Sequence, residues 1–192
     1  MTNAAMAKPE SSFSKLTYED YVLFPDDGRR HEIVEGDHTV TPAPKTKHQR
    51  VSFNLALAIG SFVKQRNLGL VFAAPSDVIL SDENVVQPDL LFVTQKRSEI
   101  VTEDNIRGAP DLIVEIVSET TRKRDEQTKR KLYERYGVRE YWIVDPELET
   151  VRVFRRKEQV YAPPVEFTRG KTATLSTDLL PEFRLSLSEL FS

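Results

Sequence analysis

Two segments of the chain carry apolar residues at the spacing of an α-helix. Between Lys47 and Arg66 such residues recur every three or four positions, which places them on one face of a helix. They are Val51, Leu55, Ala58, Ile59 and Phe62. A similar spacing runs from Arg122 to Tyr136 and ends at Gly137, a residue type that commonly follows the last turn of a helix. The pattern therefore predicts two core helices.

Between and after these helices, apolar residues form short runs bounded by turn-forming residues, a pattern typical of β-strands. The predicted strands are Leu70–Ala74, Val78–Leu80, Val86–Val93, Asp111–Ser118, Glu140–Asp145 and Val151–Phe154. The run at 111–118 is almost continuously apolar, which favours a central strand covered on both faces. The order of helix, strands, helix and strand predicts an α/β fold.

Shorter elements are predicted near the two ends of the chain. A short helix is predicted from Leu16 to Phe24. Residues 31–37 are predicted to form the first half of an antiparallel hairpin, whose second half is ended by the prolines that follow it. A final helical turn, Leu187–Phe191, begins after a capping Ser186.

The chain length and the spread of prolines and glycines predict a single domain. No repeat or linker divides the 192 residues, so residues 15–192 are predicted to form one unit. Residues 1–14 are small and polar, and they are predicted to be a disordered tail.

Composition narrows the class of protein further. The chain is 39% hydrophobic and 9% aromatic, as expected of a folded domain, and it has no cysteine. Disulfides, thiolate zinc sites and cysteine nucleophiles are therefore excluded. No run of about 18 apolar residues exists, so neither a membrane span nor a secretory signal is predicted and a cytoplasmic location is expected. The net charge of −3 means that any contact with nucleic acid must use local basic patches.

One charge, Glu115, interrupts the apolar run of the central strand. Side chains of a strand alternate between its faces, so the residues that share the face of Glu115 are Asp111, Ile113 and Val117. A buried carboxylate is costly unless it is paired, solvated in a cleft or bound to a metal ion. Asp89 begins a neighbouring run after Pro88, and strands about 5 Å apart would bring both carboxylates to one ion. The alternative is an Asp89 that merely enters a strand and a Glu115 paired with a helix arginine.

The second predicted helix places two charges on the face that should be buried. Asp125 and Lys129 share that face with Leu132, Tyr133 and Tyr136. A lysine that reaches the sheet from there could stabilise charge on a phosphate or orient an attacking water. The alternative is an ordinary surface pair between the two charged residues, four positions apart.

His48 and Glu35 are further candidates for the same site. His48 begins the first core helix on its apolar stripe, from which it could contact the site or simply cap or pack the helix. Glu35, in the predicted hairpin, could complete the ligand shell of an ion. The chain has no phosphate-binding glycine loop, no GxSxG motif and no HExxH motif, so carboxylate chemistry is what remains.

Several short motifs occur together in an order that matches one known family. They are Glu32-Ile33-Val34-Glu35-Gly36, Gln87-Pro88-Asp89-Leu90, Pro110-Asp111-Leu112-Ile113-Val114-Glu115-Ile116, Arg124-Asp125 followed by Lys129 and Tyr133, and Gly137-Val138-Arg139-Glu140-Tyr141-Trp142-Ile143-Val144-Asp145-Pro146. On these motifs the chain resembles, from about Leu16 to Phe191, the Uma2 family of restriction-endonuclease-like proteins in the PD-(D/E)xK nuclease superfamily. The resemblance implies a restriction-endonuclease-like core of order α-β-β-β-α-β, a mixed sheet flanked by helices, with the N-terminal hairpin added.

The resemblance also implies a function. It implies a magnesium-dependent endonuclease that hydrolyses phosphodiester bonds of DNA, with Asp89 and Glu115 holding Mg²⁺ or its substitute Mn²⁺. The usual lysine of the superfamily stands two residues after the acid, where this chain has Val117, and Lys129 is the natural replacement. Two-fold symmetry is the simplest way to cut both strands, so a homodimer is expected. Two alternatives stay open: an inactive nucleic-acid-binding or partner-binding module with the same fold, and a purely structural acid cluster.

Overall fold

The structure of the protein, a computed structural model, describes residues 15–171 and 174–192. The tail predicted at residues 1–14 lies outside the described residues. The helices are α1 (Tyr18–Tyr21), α2 (Thr46–Arg66), α3 (Arg130–Tyr136) and α4 (Leu187–Leu190), with a 3-10 helix at Gln95–Ile100 and a π-helix at Arg124–Lys129. The strands are β1 (Arg30–Val34), β2 (Asp37–Thr41), β3 (Gly69–Ala73), β4 (Val78–Ser81), β5 (Asn84–Val86), β6 (Leu90–Thr94), β7 (Ile106–Arg107), β8 (Leu112–Ile116), β9 (Glu140–Asp145), β10 (Thr150–Lys157), β11 (Val160–Tyr161), β12 (Val165–Thr168), β13 (Thr174–Leu175) and β14 (Leu185–Ser186).

A seven-stranded mixed sheet forms the centre of the molecule. Its strand order is β11-β10-β9-β8-β6-β3, and β12 pairs with β10. Strand β8 lies inside this sheet, antiparallel to β6 and parallel to β9. The mixed α/β architecture predicted from the sequence is confirmed, and β8 is the central strand that its apolar run indicated.

The two faces of β8 contribute to two separate cores, which confirms the predicted alternation. Leu112, Val114 and Ile116 pack in a core that also contains the buried stripe of α2. Ile113 and Val117 pack in the opposite core, together with apolar residues of α3. Glu115 shares the face of Ile113 and Val117, so its side chain points toward the segment that carries the π-helix and α3.

Helix α2 begins one residue before the predicted start and ends at the predicted residue, Arg66. Its fully buried stripe is Val51, Leu55, Ile59 and Val63, and Ala58 and Phe62 pack at the edge of the same core. The predicted helix at Leu16–Phe24 is shorter, because only Tyr18–Tyr21 is helical. The C-terminal turn is confirmed, and the Ser186 hydroxyl accepts a hydrogen bond from the Ser188 N–H. None of the described helices combines the length and apolar character that a bilayer crossing requires.

A second sheet of five strands, in the order β2-β1-β5-β4-β7, contains the N-terminal hairpin. The hairpin turn falls at Glu35 and Gly36, where 31–37 was predicted to be a continuous strand. Both residues have positive φ, 54° and 82°, the conformation of a type I′ two-residue turn. Glu35 is therefore a turn residue, and the carboxylate that β1 directs inward is that of Glu32.

Replacing Gly36 with alanine is expected to lower the free energy of unfolding by about 1–3 kcal/mol. An added Cβ would lie 2.5 Å from the Cβ of Lys15, and alanine disfavours the positive φ of this turn. Urea unfolding measures the loss. Gly60 in α2 is a matched control, because its added Cβ would meet nothing within 4 Å and alanine should stabilise the helix by up to about 1 kcal/mol. A Gly36→Ala protein as stable as the wild type would contradict this account of the turn.

The strand predicted at Val86–Val93 is wrong, because the structure divides it into β5 and β6. Gln87, Pro88 and Asp89 connect the two, and the break falls at the proline, which cannot donate a hydrogen bond to a neighbouring strand. Strand β5 belongs to the small sheet and β6 to the large one. Asp89 consequently lies at the junction of the two sheets.

The helix predicted at Arg122–Tyr136 is helical, but its middle differs from the prediction. Residues Arg124–Lys129 form a π-helix, and α3 follows directly and ends at Gly137, which has positive φ. Short π-helical turns within longer helices are frequent at functional sites. Both Asp125 and Lys129, which lie in this turn, are buried.

Candidate active site

A cavity of about 430 Å³ opens at the junction of the two sheets. Strand β1, the connection before β6, the end of β8, the start of α2 and the π-helix all contribute to its wall. Its charged lining includes Arg30, Glu32, Asp89, Glu115, Asp125 and Lys129. The register of β6 on β8 pairs Leu90 with Val114, so the next step along both strands sets Asp89 opposite Glu115. The structure thus brings the two predicted acids to adjacent strands of one cavity.

Asp89 is held by three donors. Its Oδ2 atom accepts hydrogen bonds from the Ile116 N–H at 2.7 Å and from His48 Nε2 at 3.2 Å. Its Oδ1 atom accepts one from the Arg30 guanidinium at 2.6 Å. Burial alone would raise the pKa of Asp89, but the His48 and Arg30 contacts and the Ile116 N–H outweigh burial and lower it. Asp89 is therefore ionised at neutral pH.

Lys129 lies at the buried end of the cavity and is 2% exposed. Its Nζ atom donates to Glu32 Oε1 at 2.6 Å and to Glu115 Oε1 at 2.9 Å. Burial would lower the pKa of Lys129, but the charges of Glu115 and Glu32 raise it above its usual value. The alternative of a surface pair between Asp125 and Lys129 is wrong, because both are buried and the lysine contacts other acids.

Glu115 is 4% exposed and uses one oxygen for its hydrogen bonds. Oε1 accepts from Lys129 and from the Tyr133 hydroxyl, the latter at 2.7 Å, whereas Oε2 accepts none from residues 15–171 or 174–192. Burial raises the pKa of Glu115, and the neighbouring acids add to this while Lys129 opposes it. The alternative prediction paired Glu115 with a helix arginine, but its partners in the structure are Lys129 and Tyr133.

Glu32 is the acid that sequence reasoning missed. It is 2% exposed, accepts the Gln87 N–H at 2.9 Å through Oε1, and lies 3.2 Å from the Arg124 guanidinium through Oε2. Glu35, which was predicted for this role, lies outside the cavity and forms an exposed ion pair with Arg135 at 3.1 Å. The physical reason is the hairpin turn, which moves Glu35 to the surface. Alternation places Glu32 on the same face of β1 as Arg30 and Val34, but it does not report which part of the chain that face meets.

Buried polar atoms that lack hydrogen bonds are concentrated in the cavity wall. Six buried side-chain atoms have no hydrogen-bond partner within the described part of the chain, and five of them belong to residues that line the cavity. These five are Glu32 Oε2, His48 Nδ1, Gln87 Oε1, Arg124 Nε and Asp125 Oδ1. More than about nine-tenths of buried polar groups in native proteins are hydrogen-bonded, so this concentration indicates a place for a polar ligand or water.

The oxygen donors fit a hard divalent cation in their chemistry, since Mg²⁺ and Ca²⁺ prefer carboxylate and amide oxygens. Glu115 Oε2 and Asp125 Oδ1 carry no hydrogen bond from the described residues and would be available to an ion. Burial raises the pKa of Asp125 as well, while the nearby charges of Lys129 and Arg124 oppose that rise. Among residues 15–171 and 174–192, however, no three His, Asp or Glu side chains are already grouped as a metal centre. Asp89 in particular has both oxygens engaged.

Comparison with known proteins identifies the family of the chain and a solved structure with the same fold. The family model described as "Uma2: Putative restriction endonuclease" matches residues 18–188. No curated protein matches the chain. A similar solved structure is the crystal structure of "a putative nuclease belonging to DUF820 from Anabaena variabilis ATCC 29413", with a TM-score of 0.77 and 21% sequence identity. The alignment covers 92% of this chain and 97% of that one, and at this identity it shows a shared fold.

Proposed function

Because the chain belongs to the Uma2 family, we propose that it is a metal-dependent endonuclease that hydrolyses phosphodiester bonds of DNA in the cavity between its two sheets. One observation carries the proposal: a buried lysine and four buried acids surround an open cavity, and five polar atoms in its wall accept or donate no hydrogen bond within the described part of the chain. An arrangement with so much unsatisfied polarity is costly to the fold, which favours a functional reason for it.

Asp89 and Glu115 are the proposed ligands of Mg²⁺, and Mn²⁺ would substitute for it. When bound, the ion would supply a water of lowered pKa and polarise the scissile phosphate. The chain's own residues orient the two carboxylates. The Ile116 N–H and His48 fix the Asp89 carboxylate, and Tyr133 and Lys129 fix the Glu115 carboxylate, so both acids are held before a substrate arrives.

Lys129 is proposed to stabilise negative charge, and its raised pKa argues against a role as general base. An ammonium group has three N–H donors, and two of those of Lys129 go to Glu32 and Glu115. The third is available for a phosphate oxygen or an attacking water at the buried end of the cavity. Lys129 would thus have the role of the superfamily lysine that usually stands two residues after the acid, where this chain has Val117.

DNA is the proposed substrate, and a homodimer the proposed assembly. The cavity lining includes three basic side chains, those of Lys45, Lys47 and Arg124, on a chain of net charge −3; Lys47 pairs with Glu147 and Arg124 with Glu32. Such a group can contact phosphates without a basic surface elsewhere. A dimer would place two cavities on the two strands of a duplex.

A second candidate function is a module that binds nucleic acid or a partner without cleaving it. The pairing of Arg30 with Asp89 favours it, because a guanidinium already occupies one oxygen of a proposed metal ligand. DNA binding that needs no divalent metal and is unchanged in Glu115→Gln would support this second candidate.

Supercoiled plasmid tests the first candidate directly. The wild-type protein is expected to nick plasmid in the presence of Mg²⁺ or Mn²⁺ and not with EDTA, and Asp89→Ala is expected to lose this activity. Asp111→Asn is a matched control, because Asp111 is equally buried and paired with Arg97 but does not line the cavity. Equal nicking by the wild type and Asp89→Ala would refute the proposal.

A further inference from the structure

Within the described part of the chain, Arg30 contacts the Asp89 oxygen that neither His48 nor the Ile116 N–H contacts. Asp89 Oδ2 receives both the Ile116 N–H and His48, and these contacts orient the carboxylate. The opposite oxygen, Oδ1, receives only the Arg30 guanidinium from the described residues, at 2.6 Å. A cation that entered the cavity and bound Asp89 through Oδ1 would meet the guanidinium in its path.

Arg30 pairs directly with Asp89 and lies near two further acids of the cavity, Glu115 and Glu32. Burial would lower the pKa of Arg30, but the charges of Asp89, Glu115 and Glu32 raise it. Its side chain is 18% exposed and lines the cavity, so it is neither sealed in the core nor held on the outer surface. A long side chain at the cavity wall can change its contacts without any change in β1.

We propose that Arg30 is a positioning residue that holds Asp89 in the metal-free protein and transfers its guanidinium to a substrate phosphate when a divalent cation binds Asp89. The inference rests on the proposed function, since it takes Asp89 as a metal ligand. A divalent cation and a guanidinium that both contact Oδ1 repel each other, so metal binding and the Arg30 contact oppose each other. The released guanidinium has a planar set of donors that suits a phosphate.

Competition has a measurable consequence, because the metal must displace Arg30 before it binds. The apparent affinity for the metal is then lower than the intrinsic affinity, in proportion to the fraction of protein in which Asp89 Oδ1 is free of Arg30. A variant without the guanidinium should therefore show the full intrinsic affinity for the metal. The substitution that strips a positive charge from the cavity should also lower the repulsion felt by an incoming divalent cation.

Mn²⁺ titration of the purified full-length protein without DNA tests the proposal, by calorimetry or by electron paramagnetic resonance of the free ion. Arg30→Met is expected to bind Mn²⁺ about tenfold more tightly than the wild type or better, and Arg30→Lys to lie between the two. Arg97→Met is the matched control: it removes an arginine from a buried aspartate outside the cavity and should leave Mn²⁺ affinity unchanged. At saturating Mn²⁺, Arg30→Met should also show a higher KM for DNA.

The titration distinguishes failure of the proposed role of Arg30 from failure of the proposed nuclease function. If Arg30→Met binds Mn²⁺ no more tightly than the wild type while the wild type cleaves DNA, the role of Arg30 is refuted and the nuclease stands. If neither the wild type nor the Arg30 variants bind Mn²⁺, both are refuted. If only the variants bind it, Arg30 competes for the site even though the native chain is inactive. Circular dichroism checks that Arg30→Met is folded, and Arg30→Gln replaces it in the same comparison if it is not.

Discussion

Replacing Lys129 with methionine is expected to lower the free energy of unfolding by about 3–5 kcal/mol at pH 7.5. Lys129 is buried and donates to Glu32 and Glu115, which are buried as well. Methionine has a similar volume but no charge, so the variant would leave two carboxylates without their common counter-ion. Removing one partner of a buried ion pair is costly for this reason. Chemical denaturation by urea measures the loss.

The loss should depend on pH with a definite sign. The charge of Lys129 lowers the pKa of Glu115, so the variant should hold that pKa still higher in the folded state. An acid whose folded pKa is raised contributes stability when it is protonated, and that contribution is lost as pH rises from its unfolded pKa through its folded one. The deficit of Lys129→Met relative to the wild type should therefore be larger at pH 7.5 than at pH 5.

A second substitution separates this cause from a packing defect. In the double variant Lys129→Met with Glu32→Gln, one of the two carboxylates that lost the Lys129 contact is removed, and part of the lost stability should return. Arg135→Met is a control for the loss of a cation, because Arg135 forms an exposed pair with Glu35 and should change stability by less than about 1 kcal/mol. Loss of stability that is equal at both pH values and is not relieved by Glu32→Gln would argue against the account.

The residues whose burial and facing could be predicted from the sequence are those whose signal is local. Glu115 interrupts an apolar strand, and a period of two assigns its face without knowledge of the fold. Lys129 lies on the buried stripe of a helical segment, and His48 extends the stripe of α2 by one turn toward the site. Each of these predictions needed only the periodicity of one element, and for each the structure gives the expected direction.

The residues that sequence reasoning missed depend on contacts between distant parts of the chain. Glu32 meets Lys129 across 97 positions, and Arg30 meets Asp89 across 59. Both lie on β1, whose place beside the large sheet is set by its pairing with β5. No periodicity within 31–37 reports that pairing, and the turn at Glu35 and Gly36 divides the segment that was predicted as one strand.

The π-helix was hidden for a different reason. Residues 124–129 have the apolar spacing of an ordinary helix, and an extra residue per turn leaves little trace in a short segment. Its effect on the site is nonetheless direct, since Asp125 and Lys129 both lie within this turn and both face the cavity. The sequence predicts which residues are buried there, but the pairing of Lys129 with acids of two different strands comes only from the structure.

Glu115→Gln is expected to reduce metal-dependent DNA cleavage by about a thousandfold or more, because a loss of about 4 kcal/mol of transition-state stabilisation has that effect. Glutamine keeps the shape of the side chain and its contact with Tyr133, and Lys129 keeps Glu32 as a partner. Burial raises the pKa of Glu115, which means that its charged form weakens the fold, so the variant should be as stable as the wild type or more so.

This opposition of activity and stability distinguishes a catalytic acid from a structural one. If Glu115 served only to pair with Lys129, glutamine would leave both cleavage and Mn²⁺ binding unchanged. If it holds a metal ion, cleavage and Mn²⁺ binding should fall together while the urea midpoint stays constant or rises. Glu140→Gln is the matched control, because Glu140 is as buried as Glu115 and pairs with Arg155, yet does not line the cavity. We expect Glu115→Gln to abolish cleavage without loss of stability, and Glu140→Gln to leave cleavage unchanged.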